Sequence, residues 1–148
     1  MIPLIVLAVT FTVLRLFRLE WRRALRYALA AMFFVTATAH WGDKRADLVR
    51  MVPPVFPNAE LLVTLTGIAE IAGAVGLLFE RTSRYTAIGL SILLVAVFPA
   101  NVYAAQQQLS IGGRPVTGLP LRTAMQVVFI AATVAVWARP RRASRVTG

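Results

Sequence analysis

Long apolar stretches alternate along the chain with short segments that collect charged residues and prolines. Each stretch comes close to the roughly 20 apolar residues that a helix needs to cross a bilayer. The pattern predicts five helices, at about residues 1–17, 22–41, 59–79, 84–105 and 119–137. We therefore predict an all-α fold, a polytopic membrane helical bundle, in which residues 1–148 form a single membrane domain.

The connecting segments also carry signals. Segment 42–58, "GDKRADLVRMVPPVFPN", ends in an apolar run with three prolines in five positions, which cannot continue a helix. We expect this turn to dip toward the protein as a lid, since irregular backbone at a membrane needs cover. Gly112–Gly113 predicts a short hairpin within segment 106–118. The loop "ERTSR", residues 80–84, is short enough to make its two helices antiparallel neighbours.

Composition strengthens the membrane assignment and excludes several chemistries. The hydrophobic fraction is 58% and the mean hydropathy is +0.70, above the range of soluble domains. Cysteine is absent and there is one histidine, so thiolate chemistry, iron–sulfur ligation and a bis-histidine haem site within one copy are excluded. The net charge is +10, but the arginines cluster at the ends of apolar stretches. There they contact headgroups, so we predict a lipid bilayer and no nucleic acid as partner.

The distribution of lysine and arginine predicts the orientation. Alternate connections and the tail carry eleven of these residues on one side of the membrane and five on the other. The richer side is cytoplasmic, which predicts an outside N-terminus, a basic cytoplasmic tail at 138–148 and an odd number of spans in the cell membrane. A cleaved signal peptide at 1–17 is the alternative. It is disfavoured because no basic leader precedes the apolar run.

The helix predicted at 59–79 carries one ionisable residue, Glu70, in the stretch "GIAEIAGAVGLL". Gly67, Gly73 and Gly76 share its broad face, and small residues on one face permit close helix packing in lipid. Glu70 lies eleven residues from the outer end of this helix, at a depth of about 16 Å. An ionisable residue there is a candidate site. Two interpretations stay open: a protonated carboxyl that fixes helix packing, or a ligand or proton site.

Two polar residues of neighbouring helices are candidate partners of Glu70. His40 closes the helix at 22–41 on its outer side. Asn101 lies near the outer end of the helix at 84–105, just after Pro99, whose ring frees a carbonyl one turn earlier and bends the helix. One histidine and one carboxylate fall short of a metal site, and no catalytic residue is predicted.

The chain resembles the DoxX family of small membrane proteins in the order and spacing of four motifs. They are "ATAHW" at 37–41, "MVPP" at 51–54, "TGIAEIAGAVGLL" at 66–78 and "VAVFPANVYAA" at 95–105. The resemblance covers about residues 24–137 and implies a four-helix membrane bundle, to which the first helix is an N-terminal addition. The family takes its name from an association with thiosulfate–quinone oxidoreductase, some members are linked to membrane oxidoreductase assemblies, and for most members no activity is established. The residues that the resemblance implies as ligand-binding pocket residues are His40, Pro53, Pro54, Glu70, Pro99 and Asn101.

Three functions are compatible with this sequence. The favoured one is a non-catalytic binder of a small ligand, or a partner subunit, with an outward-opening intramembrane pocket and no cofactor. The second is a membrane subunit of a quinone-linked oxidoreductase assembly, in which a quinone binds near Glu70 and another protein donates electrons. The third is a small proton-coupled carrier or channel, which with five spans requires a homo-oligomer.

Overall fold

The computed structural model describes residues 1–138, so all of the predicted cytoplasmic tail after Ala138 lies outside the described residues. Six α-helices make up most of the described chain, which also contains one 3-10 turn at Thr38–His40 and two short strands. The helices are α1 (Ile2–Leu16), α2 (Trp21–Ala37), α3 (Arg45–Met51), α4 (Ala59–Leu78), α5 (Glu80–Gln106) and α6 (Leu119–Trp137), and the strands are β1 (Ser110–Ile111) and β2 (Arg114–Pro115). The all-α prediction is confirmed for this part of the chain.

Four helices form a closed ring in which each packs against the next. The order is α2, α4, α5 and α6, and α6 returns to α2, while α1 packs against α2 from outside the ring. The largest fully buried side chains include Leu29, Met32 and Phe33 of α2 and Leu77 of α4. Helix α2 is the most central of these helices, because it contacts α1, α4 and α6 and buries more residues than α4 does.

Three helices in the described range, α4, α5 and α6, are long and apolar enough to cross a membrane. The apolar helix α1 is shorter, at 15 residues, or about 22 Å. Helix α2 has 17 residues and begins with Trp21, Arg22 and Arg23. The finding is a multi-pass membrane protein with three to four apolar helices, and the count of five spans stays a prediction.

The two ends of the bundle differ in their connections. We call the end that carries α3 and the strands the outer end, and the end that carries the α1–α2 and α4–α5 connections the inner end. At the inner end only Phe79 separates α4 from α5. The predicted loop at 80–84 is therefore wrong, because these residues form the first turn of α5. The Thr82 hydroxyl donates to the Gly76 carbonyl at 2.7 Å and stabilises this tight connection.

Helix α3 lies within segment 42–58, where no helix was predicted. The turn that follows it is closed by a hydrogen bond from the Phe56 amide to the Pro53 carbonyl. Val55 is 79% exposed and Phe56 is 46% exposed. The expectation that this turn dips toward the protein is wrong, since its apolar tip points away from the bundle.

The predicted hairpin is confirmed. Strands β1 and β2 are antiparallel, with Ser110 opposite Pro115. Gly112 and Gly113 have positive φ angles of 59° and 72° at the turn. Two successive positive φ angles are typical of the tight turns that join two strands, and glycine adopts them without steric cost.

Candidate functional site

The contact of the 3-10 turn with α4 brings the side chains of His40 and Glu70 together on the outer side of the bundle. His40 Nε2 lies 3.7 Å from Glu70 Oε2, and the two side chains are 10% and 16% exposed. The distance suits an ion pair but is long for a direct hydrogen bond. Glu70 Oε2 is buried and has no hydrogen-bond partner among the described residues. The structure thus joins two of the predicted site residues and leaves a carboxylate oxygen without a donor.

The other ring nitrogen of His40 fixes how the imidazole is protonated. His40 Nδ1 lies 2.7 Å from the Val63 carbonyl oxygen, which can only accept a hydrogen bond, so Nδ1 carries a hydrogen. Nε2 then faces Glu70 either as a bare acceptor or as a second N–H group. When one proton is shared between Nε2 and the Glu70 carboxyl group, the group that holds it is the donor and the other is the acceptor.

Gly67 permits this approach of the 3-10 turn to α4. A Cβ atom at Gly67 would lie 2.7 Å from His40 Cβ and 2.7 Å from Trp41 Cη2. No side chain larger than hydrogen fits between these atoms without displacement. The remaining glycines of the same face serve a different contact, since a Cβ at Gly73 or Gly76 would collide with side chains of α5, namely Leu90 and Thr86. The predicted role of this face in close packing is confirmed.

Arg45 of α3 binds backbone and side-chain groups next to the pair and was not predicted as a site residue. Its guanidinium donates to the His40 carbonyl at 2.9 Å, to the Thr64 hydroxyl at 2.9 Å and to the Glu60 carbonyl at 3.3 Å. Arg45 therefore ties α3 to the 3-10 turn and to the first turns of α4. From the sequence, Arg45 is only one of several charged residues in a connecting segment, because helix α3, which positions it, was not predicted.

Asn101 lies elsewhere and has a different partner. Its side-chain oxygen accepts a hydrogen bond of 2.5 Å from Arg122 of α6. Asn101 is five residues from the outer end of α5 and Glu70 is eleven from that of α4, a difference in level of about 9 Å. No hydrogen bond or ion pair within residues 1–138 links Asn101 to His40 or Glu70.

The seam between α5 and α6 holds further polar contacts that sequence reasoning missed. Gln126 Nε2 donates to the Leu94 carbonyl, next to the Val95 carbonyl that Pro99 deprives of its helical donor. Nearer the inner end of the same seam, the Ser91 hydroxyl donates to Thr133 Oγ1 at 2.8 Å. Gln126 and Thr133 are both buried. The sequence did contain a signal for this seam, since the polar residues 122, 126 and 133 are spaced so that they share one face of α6.

The predicted pocket itself has less support than the pair. Pro53 is half-buried, while Pro54 and Pro99 are exposed, so the binding role of these prolines stays a prediction. Two shallow grooves occur on the described surface. One, of about 250 Å³, lies on α1, and one, of about 330 Å³, lies between α4 and α5. Neither is lined by His40 or Glu70.

The donor set at the site suits hydrogen bonding better than metal binding. Within residues 1–138 no group of three or more histidine and acidic side chains comes close enough to hold a metal ion. What the pair offers is one imidazole nitrogen and one carboxyl group in a largely buried position. This arrangement can donate a hydrogen bond, accept one or hold a proton.

The apolar helices and their ring packing define a multi-pass membrane protein of the helical-bundle class. Residues 29–137 match the family model described as "Domain of unknown function (DUF8561)", and the chain belongs to this family. No curated protein and no solved structure matches the chain. The resemblance to the DoxX family gains no support from the matched family and stays a prediction.

Proposed function

We propose that this protein binds a small ligand at the His40–Glu70 pair, reached from the outer end, and performs no catalysis on its own. The observation that carries the proposal is the buried Oε2 atom of Glu70, which has no hydrogen-bond donor within the described chain. A buried polar atom without a partner costs roughly 1–3 kcal/mol. A ligand that donates to this atom would recover that free energy.

The charge state of the pair supports an uncharged ligand. When one proton is shared between Nε2 and the carboxyl group, the pair is neutral with the proton on Glu70 and a zwitterion with it on His40, so its net charge is zero in both of these forms. A charged ligand would bring an uncompensated charge into a low-dielectric region, where charges require partners. A neutral molecule with an apolar body and a hydroxyl group that donates to Glu70 Oε2 therefore suits the site.

Two substitutions at one position separate a binding role from a packing role. We expect Glu70→Gln to fold and reach the membrane while the co-purifying ligand is lost, because an amide keeps the shape and removes the proton exchange with His40. Glu70→Leu should also lose the ligand and lower bundle stability. The measurement is solvent extraction of the purified protein and mass spectrometry of the bound small molecules.

Glu60→Gln is the matched control, since Glu60 is an exposed carboxylate in the first turn of the same helix. It should keep the ligand at the wild-type ratio. If Glu70→Gln retains every bound molecule of the wild type at the same ratio, or the wild type carries none, the pair is a packing device and the proposal fails.

A second candidate is the quinone-linked subunit. The specific observation in its favour is the histidine–carboxyl pairing, which presents a donor and an exchangeable proton to a quinone oxygen near the middle of α4. Electrons would come from a partner protein, as the DoxX resemblance suggests. The same extraction decides between the candidates: a stoichiometric quinone supports this one, and a different molecule supports the first.

We further propose five spans in the cell membrane with the N-terminus outside and the C-terminus inside. The excess of lysine and arginine on one side supports this, as does the position of α2 between α1, α4 and α6, which places α2 inside the bundle despite its arginines. Reporters fused to the C-terminus test it. A reporter that works only in the cytoplasm should be active, and activity of one that requires the outside would overturn the orientation.

A further inference from the structure

Arg122 occupies an unusual position at the outer end of the α5–α6 seam. It is the fourth residue of α6 and is half-buried. One of its terminal nitrogens, Nη1, donates to the Asn101 side-chain oxygen. Its Nε atom is buried and has no acceptor within residues 1–138. The guanidinium is thus held in place by a neutral amide, and part of its hydrogen-bonding capacity is unused.

The charge of Arg122 has no ion-pair partner among residues 1–138. All six acidic side chains belong to residues 20–80. Those that form ion pairs in the described structure do so with Arg23, His40 and Arg50. No carboxylate lies within ion-pair distance of Arg122 there. Burying a cation is costly without a compensating anion or full hydrogen bonding, and the described residues supply neither.

The neighbouring groups are donors too. The Asn101 amide accepts from Arg122 through its oxygen, so its NH₂ group retains two donors. The N-cap of α6 is Gly118, which makes no side-chain capping bond, so the first-turn amides of Leu119 and Leu121 keep unused N–H groups beside Arg122. Donors with a net positive charge therefore converge at this end of α6.

We propose that the outer end of the α5–α6 seam binds a phosphate-type oxyanion, held by the Arg122 guanidinium and the Asn101 amide. The planar guanidinium presents paired N–H groups that match two oxygens of such a group. Arg122 lies three residues inside α6, about 4.5 Å from its end, so in the proposed five-span arrangement it lies near the level of the lipid headgroups. The anion is either a headgroup phosphate of a bound lipid or free phosphate. This site is separate from the His40–Glu70 pair and does not depend on the function proposed for it.

The first experiment uses the purified full-length protein with two probes. One is native mass spectrometry after reconstitution with phosphatidylglycerol or with a glycolipid that lacks phosphate. The other is titration of delipidated protein with inorganic phosphate, followed by thermal stability. Selective retention of phosphatidylglycerol identifies a headgroup, and stabilisation by inorganic phosphate identifies a free anion; each supports the proposal.

The variants test the residues. Arg122→Gln should weaken binding of the active probe by about tenfold or more, as expected for a lost charge-assisted hydrogen bond. Arg114→Gln should change nothing, since Arg114 is an exposed arginine of strand β2 at the same end. Equal binding by wild type and Arg122→Gln, or binding of neither probe by the wild type, overturns the proposal.

Asn101→Asp keeps the test decisive if Arg122→Gln fails to fold. It gives Arg122 a carboxylate partner of the same shape, so we expect a protein that folds with unchanged or raised thermal stability and no longer binds the probe. Asn101→Asp with wild-type binding would contradict the proposal, because an internal anion should displace an external one.

Discussion

The inner and outer ends of this bundle differ in whether buried charged side chains find hydrogen-bond partners within the described structure. At the inner end, the buried guanidinium of Arg26 on α2 donates to the Leu77 and Leu78 carbonyls at the last turn of α4. Arg22 donates to the Ala138 carbonyl just after α6. At the outer end, Glu70 Oε2 and Arg122 Nε are buried without partners in the described structure.

This difference separates polar groups that stabilise the fold from polar groups that are available to bind a ligand. The last carbonyls of a helix lack intrahelical donors and carry partial negative charge, so an arginine satisfies them and stabilises the end. The inner arginines therefore complete the fold. The outer groups are incomplete within the described chain, which is why we place binding there. Trp137 Nε1 at the inner end is an exception, since it too is buried without a partner among the described residues.

The largest effect should come from Arg26→Ala, which breaks the inner end. It removes both bonds to α4 and leaves two carbonyls and a cavity, so we expect a loss of about 3 kcal/mol in the free energy of unfolding. Denaturant unfolding in mixed micelles measures this loss. Arg23→Ala is the control, because the Arg23–Glu80 pair is exposed and should contribute less than about 1 kcal/mol. Equal losses in both variants would show that the buried contacts of Arg26 stabilise the protein no more than the exposed Arg23–Glu80 pair does.

The next effect tests the outer end through Gly67→Ala. The added methyl group would meet His40 and Trp41, and we expect overpacking to cost about 1–3 kcal/mol of unfolding free energy together with loss of the bound ligand. Gly89→Ala is matched, since its Cβ would meet nothing within 4 Å, and it should be neutral or stabilise the protein. A Gly67→Ala variant with wild-type stability and ligand content would show that the close approach of the 3-10 turn is unimportant.

A smaller effect is expected for the satisfied contact between Ser91 and Thr133. Cross-helix hydrogen bonds in membrane bundles contribute on average about 0.6 kcal/mol. A double-mutant cycle with Ser91→Ala and Thr133→Val should give a coupling of that size in the free energy of unfolding, with ligand content unchanged. If the cycle instead changes ligand content, the α5–α6 seam belongs to the site and the contrast between the ends is incomplete.

The smallest effect concerns Asp47, which tethers α3 to the hairpin. The Gly112 N–H donates to Asp47 at 2.7 Å, and this bond, followed by the Arg50 side chain, lowers the pKa of Asp47. A lowered pKa means that the tether is at full strength above the ordinary pKa of aspartate and weakens as the pH falls through the lowered value. Hydrogen exchange of the Gly112 amide, corrected for intrinsic rates, should show protection that decreases with acid.

Asp47→Asn should abolish that pH dependence, and Asp43→Asn, at an exposed neighbouring aspartate, should preserve it. Acid-dependent protection that survives in Asp47→Asn would assign the effect to another group.

Much of the fold could be predicted because membrane helices leave a strong apolar pattern. The last helix was predicted with its observed bounds, Leu119–Trp137, and α1 and α4 within one residue. Helix α3 was missed since seven residues between a glycine and a proline turn carry too little periodicity. The start of α5 was missed because "ERTSR" reads as a polar loop, whereas Thr82 and Ser83 hydroxyls bond to nearby carbonyls and let the helix begin at Glu80.

The candidate site was predictable in part for the same reason. A single carboxylate in an apolar helix and a single histidine at a helix end are conspicuous in sequence, so Glu70 and His40 were named. Which groups meet was not predictable, since residues far apart in sequence become neighbours only through packing. Asn101 was expected beside Glu70 but contacts Arg122, and Arg45 entered the site only with α3.

By itself the sequence determined that this protein is a multi-pass bundle of helices, because the cost of exposing apolar side chains and unpaired backbone is set locally, stretch by stretch. It also determined which side chains are ionisable in an apolar setting. Only the tertiary structure decided that α2 is central, that inner arginines cap α4 and α6, and that Glu70 and Arg122 are left incomplete. Those outcomes depend on distances between helices, and a close approach such as that of His40 to Gly67 is a property of two surfaces rather than of either segment.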